Sequence, residues 1–446
     1  MTTPVWTWLP GAASPTLAAT LALEAGRGTL RYEPAYLGMP RARALDPVAL
    51  RLSRKAAGIA IVGDGGLPGV ILDAMPAGYG ADRLHARHAR ELGALELLEL
   101  GPPDGAGAIE VCRDIERKLA WRPSSLDELV GRIVELEASA PSSRAVRRLL
   151  DDGMTSAGGE RPKVTLQHDG RLWLAKLQDR GDAPHLPARE YAVMRMAGEL
   201  DIRVPRLLLE RPGGREVFLA ERFDRGGDPL QPRRHLFASA HTVLGLQART
   251  MPGDPRRSYL VLADRMRRWI RDDLALKQDL RELWRRMAYN ALVGNGDDHP
   301  RNHGLVDDGA GWRLSPAFDI TPLPGFARIL AMGVAADGSQ EASAPNLLAS
   351  CAHFGVELRQ GAAWLGRAAA HVADHWEQRL RECGVPTGQT AQFAPAFGLA
   401  GELAENPGSL EEIADAIERQ ARKGRRHAET AVKPENLARK PENPGK

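Results

Sequence analysis

Apolar and polar residues alternate along the first part of the chain and give way to helical spacing later. "GTLRYEPAYL" alternates as a half-buried strand and its turn do. The next stretch, "GIAIVGDGGLPGVILDAMPAGYGADRL", is dense in glycine and proline around short apolar runs, which predicts turns over a compact core in place of a long helix. In "SLDELVGRIVELEASAPSSRAVRRLLDDG" the spacing becomes helical, with Ser125 as the cap and Asp127 and Glu128 in the first turn. "KVTLQHDGRLWLAKLQD" predicts two strands joined at Asp169-Gly170, a two-residue hairpin signal. "PAREYAVMRMAGEL" predicts an amphipathic helix, and "EVFLAERFD" returns to strand. Beyond residue 235 the pattern is mainly helical, through "SYLVLADRMRRWI", "ELWRRMAYNALVG", "NLLASCAHFGV" and "AAWLGRAAAHVADHWEQRL". The end, "RKGRRHAETAVKPENLARKPENPGK", is polar, basic and proline-containing, the composition of a disordered tail.

This order divides the chain into a strand-and-turn subdomain (1–115), a strand-rich lobe with one helix (116–235), a helical lobe (236–422) and a basic tail (423–446). A β-rich lobe followed by an α-rich lobe leaves a cleft suited to a nucleotide. The expected class is therefore α/β (α+β), two-lobed, with an added N-terminal subdomain. With 446 residues, 43% hydrophobic and 26% charged, composition is that of an ordinary globular chain. A net charge of only +3 does not by itself call for a nucleic-acid partner. Cys112, Cys351 and Cys383 form no CxxC pair, which fits a reducing compartment and speaks against a disulfide framework or a zinc site. The apolar start, "MTTPVWTWLPGAASPTLAATLAL", lacks a basic n-region and is broken by proline, and no run reaches the length a membrane helix needs. The expectation is a soluble cytoplasmic protein with no membrane association.

The densest chemistry lies in "NGDDHPRNHG", Asn295 to Gly304. Phosphoryl transfer to a hydroxyl needs a carboxylate near the acceptor proton, and an amide oxygen and second carboxylate for the magnesium ions that bridge the phosphates. Asp297 and Asn302 have the D-x-x-x-x-N spacing of the kinase catalytic loop. Asp319, after Phe318 at what reads as a strand end, takes the place of the metal-binding aspartate of D-F-G. Asp and Asn also populate plain turns. A zinc hydrolase would use His299 and His303 at i, i+4, but Pro300 disfavours helix at His299 and no HExxH glutamate is present. On this reading the histidines brace the loop. Upstream, Lys176 lies in an apolar strand with Glu190 early in the next helix, the order of the kinase Lys–Glu ion pair, although an isolated strand lysine is more often a solvated edge residue. Gly158 and Gly159 precede that strand and would let backbone N–H groups approach phosphate, or form a simple turn. Taken in chain order, these elements favour a kinase-like phosphotransferase.

At these residues the chain resembles the HipA family, the serine/threonine kinase toxins of bacterial toxin–antitoxin modules. "GTLRYEPAYL" and "LPGVILDAMPAGYGADRL" resemble the family's N-terminal subdomain. "SAGGERPK", "LAKL", "FLAERFDR", "NGDDHPRNHG" and "LSPAFDITP" resemble its kinase-like core in order. The resemblance implies Asp297 as catalytic base, with Asn302 and Asp319 as ligands of Mg2+. It places ATP among Gly158, Gly159, Lys163, Lys176, Glu190, His299, Asn302 and Asp319, with the Glu221-Arg222-Phe223 backbone receiving the adenine. It makes Ser156, beside a competing Thr155, an autophosphorylation site that ejects its loop and shuts the kinase off. It implies an aminoacyl-tRNA synthetase as protein substrate, growth arrest as the outcome, and a helix-turn-helix antitoxin whose complex reaches operator DNA. The doubled acid departs from the pattern; spacing favours Asp297 as base and leaves Asp298 to brace the loop or face substrate. Two rivals stay open at this point: a small-molecule kinase of the antibiotic- or choline-phosphorylating type, and a non-catalytic subunit that binds antitoxin and bridges DNA. The basic tail, with Arg419, Arg422, Lys423, Arg425 and Arg426, reads as a solvated charged end.

Overall fold

The computed structural model of the chain describes residues 2–61, 63–139, 163–178 and 184–431. Its first sheet is antiparallel, in the order β4-β3-β2-β1-β5, built from β1 (Thr2–Trp8), β2 (Pro15–Glu24), β3 (Arg27–Tyr32), β4 (Ile59–Ile61) and β5 (Ile109–Val111). Alternation along β1 and β3 buries Val5, Leu30 and Tyr32 on one face, as period-two patterning requires. Among the described residues the glycine-rich stretch between β4 and β5 holds only short helices, Gly69–Ala74, Tyr79–Arg87 and Ala94–Leu100, and a 3-10 turn.

The second sheet has the order β6-β7-β8-β10-β9, with β6 (Ser124–Ser125), β7 (Lys163–His168), β8 (Arg171–Leu177), β9 (Leu207–Glu210) and β10 (Val217–Glu221). Asp169 and Gly170 both adopt positive φ, +47° and +67°, the backbone that closes the β7–β8 hairpin with the twist of its strands. The helix Leu126–Ser139 starts with a reciprocal cap: Ser125 Oγ accepts the Glu128 N–H at 3.1 Å, and Glu128 accepts the Ser125 N–H at 2.8 Å. That helix sets Leu126, Leu129 and Ile133 against Val164, Leu166, Trp173, Ala175, Leu177, Val217 and Leu219. Strand alternation then turns Lys163, Thr165, Leu172, Leu174, Lys176, Phe218 and Ala220 to the opposite face. The helix Leu186–Glu199 is buried on most sides, wider than the amphipathic stripe expected, because it packs against both this sheet and the long helix Leu358–Glu382.

The helical lobe contains Tyr259–Trp269, Asp273–Leu292, Leu358–Glu382 and Gly408–Ala431. A ribbon of β11 (Arg225–Gly226) and β12 (Arg233–Arg234) leads into it, and inside it lies a three-stranded sheet, β13 (Leu236–Ser239), β14 (Gly304–Asp307) and β15 (Trp312–Leu314). The tail expected to be irregular from residue 423 instead continues the last helix to Ala431. Among the described residues no helix is long and apolar enough to cross a membrane.

Candidate functional site

Lys176 stands next to last in β8, on the face away from the helix Leu126–Ser139. Its Nζ donates to Glu190 at 2.6 Å and to Asp319 at 2.8 Å, joining the β-rich lobe, its buried helix and the segment after β15. Burial alone would push the ammonium down, yet Asp319 and Glu190 outweigh it and raise the Lys176 pKa. Burial lifts the Glu190 carboxyl above its usual range despite Lys176. Asp319 is held well below the usual carboxylate range: against the cost of burial stand Lys176, Lys163 and His299. Lys163 pairs with Lys176 in the β7–β8 register, so two cations sit side by side on one sheet face. That concentration of positive charge suits phosphate oxygens.

Asp319 is not at a strand end. β15 stops at Leu314, and Asp319 adopts φ +60°, a left-handed backbone that Asp tolerates better than most residues. The preceding Phe318 stacks on Phe223 with centroids 5.7 Å apart.

The loop with the doubled acid leaves the buried helix Asp273–Leu292 through Gly294, at φ +64°, where a Cβ would run into the Ala396 backbone. Asp297 is exposed, and its carbonyl accepts the N–H of His299 at 2.8 Å and the Asn302 side-chain amide at 3.1 Å. Asn302 Nδ2 is thus directed at the loop's own backbone. Asp298 is buried and pairs with His303 at 2.8 Å, which makes it and His303 braces of the loop. His299 and His303 do not share a helical face: Pro300–Asn302 is one 3-10 turn. His299 Nδ1 is buried with no hydrogen-bond partner among the described residues.

The donor set fits a magnesium nucleotide better than a metal cage. Among the described residues no three His, Cys, Asp or Glu side chains gather to hold a metal. Magnesium commonly takes only one or two protein oxygens and completes its shell with water and phosphate, and Asp319 and Asn302 can supply those oxygens. The orphaned His299 nitrogen is a further polar group in the same loop that the protein leaves unmet.

At the end of β10, the Glu221 and Arg222 N–H groups already donate to Arg206 and Leu172 carbonyls, at 2.9 and 2.8 Å. Of the three residues expected to receive adenine, only Phe223 keeps its N–H without a backbone partner among the described residues. The Arg222 side chain faces elsewhere: it is buried against Asp224, the Asp104 and Gly105 carbonyls and Thr165. Ser156, Thr155, Gly158 and Gly159 lie outside the described residues.

Two features had no sequence signal. Asp73, on the helix Gly69–Ala74, accepts Ser239 Oγ at 2.6 Å and Ser239 N–H at 2.8 Å. Ser239 pairs with Gly304, and Ala240 N–H reaches the His303 carbonyl at 2.7 Å, so the N-terminal part braces the exit of the acidic loop. The second is the buried Arg222–Asp224–Arg225 group, which fixes the turn after β10 to residues 104–107.

A family model, the HipA-like C-terminal domain, matches residues 155–378. The chain belongs to the HipA family. The HipA of Shewanella oneidensis MR-1, solved as a toxin–antitoxin complex with HipB and its operator DNA, superposes with a TM-score of 0.63 at 18% identity, over 93% of this chain and 99% of that one. This agrees with the two-lobed kinase-like fold expected from the sequence. The Helicobacter pylori proinflammatory kinase CtkA aligns at a TM-score of 0.33 and 14% identity, over 54% of this chain and 95% of that one. No curated protein sequence matches the chain.

Proposed function

We propose that this HipA-family chain is an ATP- and magnesium-dependent serine/threonine protein kinase and the toxin of a toxin–antitoxin module. The observation that carries the reading is Lys176 held between Glu190 and Asp319, with Lys163 opposite it in the sheet. In this reading Asp297, exposed at the tip of its loop, accepts the proton of the substrate hydroxyl. Lys176 and Lys163 hold the phosphates, with Glu190 fixing the Lys176 amine. Asp319 and the Asn302 side-chain oxygen would hold magnesium, and His299 would face the phosphates. Leu174 and Ala220, on the same sheet face as Lys176, offer an apolar seat for adenine, with the Phe223 N–H as its hydrogen-bond donor. ATP with magnesium would supply the phosphoryl group and neutralise its charge; the protein's part is positioning and electrostatics.

HipB and operator DNA accompany the Shewanella HipA. By the same family relation we infer a helix-turn-helix antitoxin for this chain, contact with DNA through that complex, an aminoacyl-tRNA synthetase as substrate, and self-inactivation by phosphorylation at Ser156. Incubation with radiolabelled ATP tests the chemistry. Asp297→Asn is expected to lower protein labelling at least about 100-fold, the scale of lost general-base catalysis, with ATP binding retained. Undiminished labelling would remove Asp297 from the role. Label confined to small metabolites would favour the small-molecule kinase.

A further inference from the structure

A cavity of about 260 Å³ lies at the junction of the first sheet, the segment 116–123, the β7–β8 hairpin and the loop 229–234. Thr165 and Leu172 of its wall lie on the Lys176 face of the second sheet, but it uses none of the groups assigned to catalysis. Its walls include Trp8, Lys118, Trp121, Arg222, Arg225 and Arg234.

Four of these are buried cations, and they outnumber the carboxylates that serve them. Arg222 and Arg225 share Asp224, each at 2.8 Å. Arg234 and Lys118 share Glu110, at 2.8 and 3.4 Å. Asp104 is the one further buried carboxylate at the cavity. Among the buried groups the cations therefore exceed the carboxylates by one, the exposed Glu116 and Arg122 on the wall offsetting each other, in a setting where a buried excess of charge is costly. Burial, and then the neighbouring Arg222, push the Arg225 guanidinium well below its ordinary value, as such an excess would.

The hydrogen-bond count points to the same place. Arg222 is saturated by carbonyls, Thr165 and Asp224. Arg234 is not. Its guanidinium lies 3.8 Å from the centre of the Trp8 ring and is 5% exposed. It donates to Glu110 at 2.8 Å, and it makes no other hydrogen bond among the described residues. Its Nε is buried without a hydrogen-bond partner among the described residues, and a buried donor left unmet costs about 1–3 kcal/mol. Its contact with the Trp8 ring holds the guanidinium at the cavity wall. Trp121, half-buried on the wall, adds apolar surface without a ring partner among the described residues.

We propose that this cavity binds a small organic anion, one carboxylate or phosphate group paired with Arg234 and an apolar body against Trp121. The volume is below the usual range of drug-sized pockets, so the ligand is the size of a single ring or side chain.

Thermal shift and tryptophan fluorescence of the full chain test this, using benzoate, phenyl phosphate, inorganic phosphate and neutral benzamide at millimolar concentration. Benzoate or phenyl phosphate is expected to raise the melting temperature and change the fluorescence, and benzamide to do neither. The better of the two identifies the anionic group. Arg234→Gln is expected to weaken that binding at least about tenfold, and Lys176→Ala to leave it unchanged. Because Arg234→Gln also disturbs the Glu110 pair, Trp121→Leu serves as a second variant and should weaken the organic anions alone. Four results would overturn the proposal: no response to either organic anion, an equal response in Arg234→Gln, a response to inorganic phosphate only, or loss of the response in Lys176→Ala, which would move the ligand to the nucleotide cleft.

Discussion

Lys176 is shared by two carboxylates, and that sharing sets what its removal does. Lys176→Met would leave Glu190, 4% exposed, and Asp319 next to each other with Lys163 as the neighbouring cation. A loss of about 3 kcal/mol in unfolding free energy is expected, the scale of breaking a buried pair, together with lost ATP affinity. Denaturant titration reads the first and nucleotide binding the second. Stability unchanged by Lys176→Met would mean that the two carboxylates already share a proton in the folded state. His241, which touches Arg301 at 3.5 Å, gives a pH signature at the same scale. Burial, and then Arg301, push its pKa from 6.5 down to about 4. The folded form therefore keeps the ring neutral where the unfolded chain would protonate it. Its contribution is complete above about pH 6.5 and is lost progressively as pH falls toward 4. Replacing His241 by Gln should flatten that part of the stability–pH curve, read from melting temperatures across the range.

At the level of elements, the acidic loop is placed by what surrounds it more than by its own residues. Gly294 lets the helix Asp273–Leu292 end in a left-handed turn against Ala396. Gly294→Ala meets both a backbone clash and a disfavoured φ, and at least about 2 kcal/mol of destabilisation is expected, measured by thermal or chemical melts. The other support is Asp73. Asp73→Asn keeps the shape but leaves one acceptor oxygen for the two Ser239 donors, so turnover should fall several-fold while ATP affinity holds. Equal loss in both would make Asp73 a general fold residue. The sequence carried some of this and not the rest. The hairpin at Asp169-Gly170 and the Ser125–Glu128 cap were legible because each is a local rule about neighbouring residues. The D-x-x-x-x-N spacing and the order of Lys176 and Glu190 were legible for the same reason. Asp319 was misread as a strand end, since a left-handed backbone after Phe318 leaves no mark in apolar patterning. Asp73–Ser239 and Arg222–Gly105 join positions more than a hundred residues apart, and no periodicity encodes them.

For the whole molecule, the N-terminal sheet is part of the core and not an appendage. Its residues join one continuous apolar cluster with the helical lobe, from Val5 and Leu30 to Tyr259 and Leu365. Calorimetry of the full chain should therefore give one unfolding transition, and two resolved transitions would show that the sheet melts alone. Residues 2–139 supply the first sheet, β6 and the helix over the second sheet, while residues 163–431 supply the other strands of the second sheet and share the main apolar cluster. The Gly107 N–H bond to Asp224 and the buried Glu110–Arg234 pair then lock the two portions together. A chain cut between residues 139 and 163 is consequently expected to behave as a heterodimer of its own halves. Its melting temperature would become dependent on protein concentration, as for any obligate pair, and the two fragments, made separately, would complement each other on mixing.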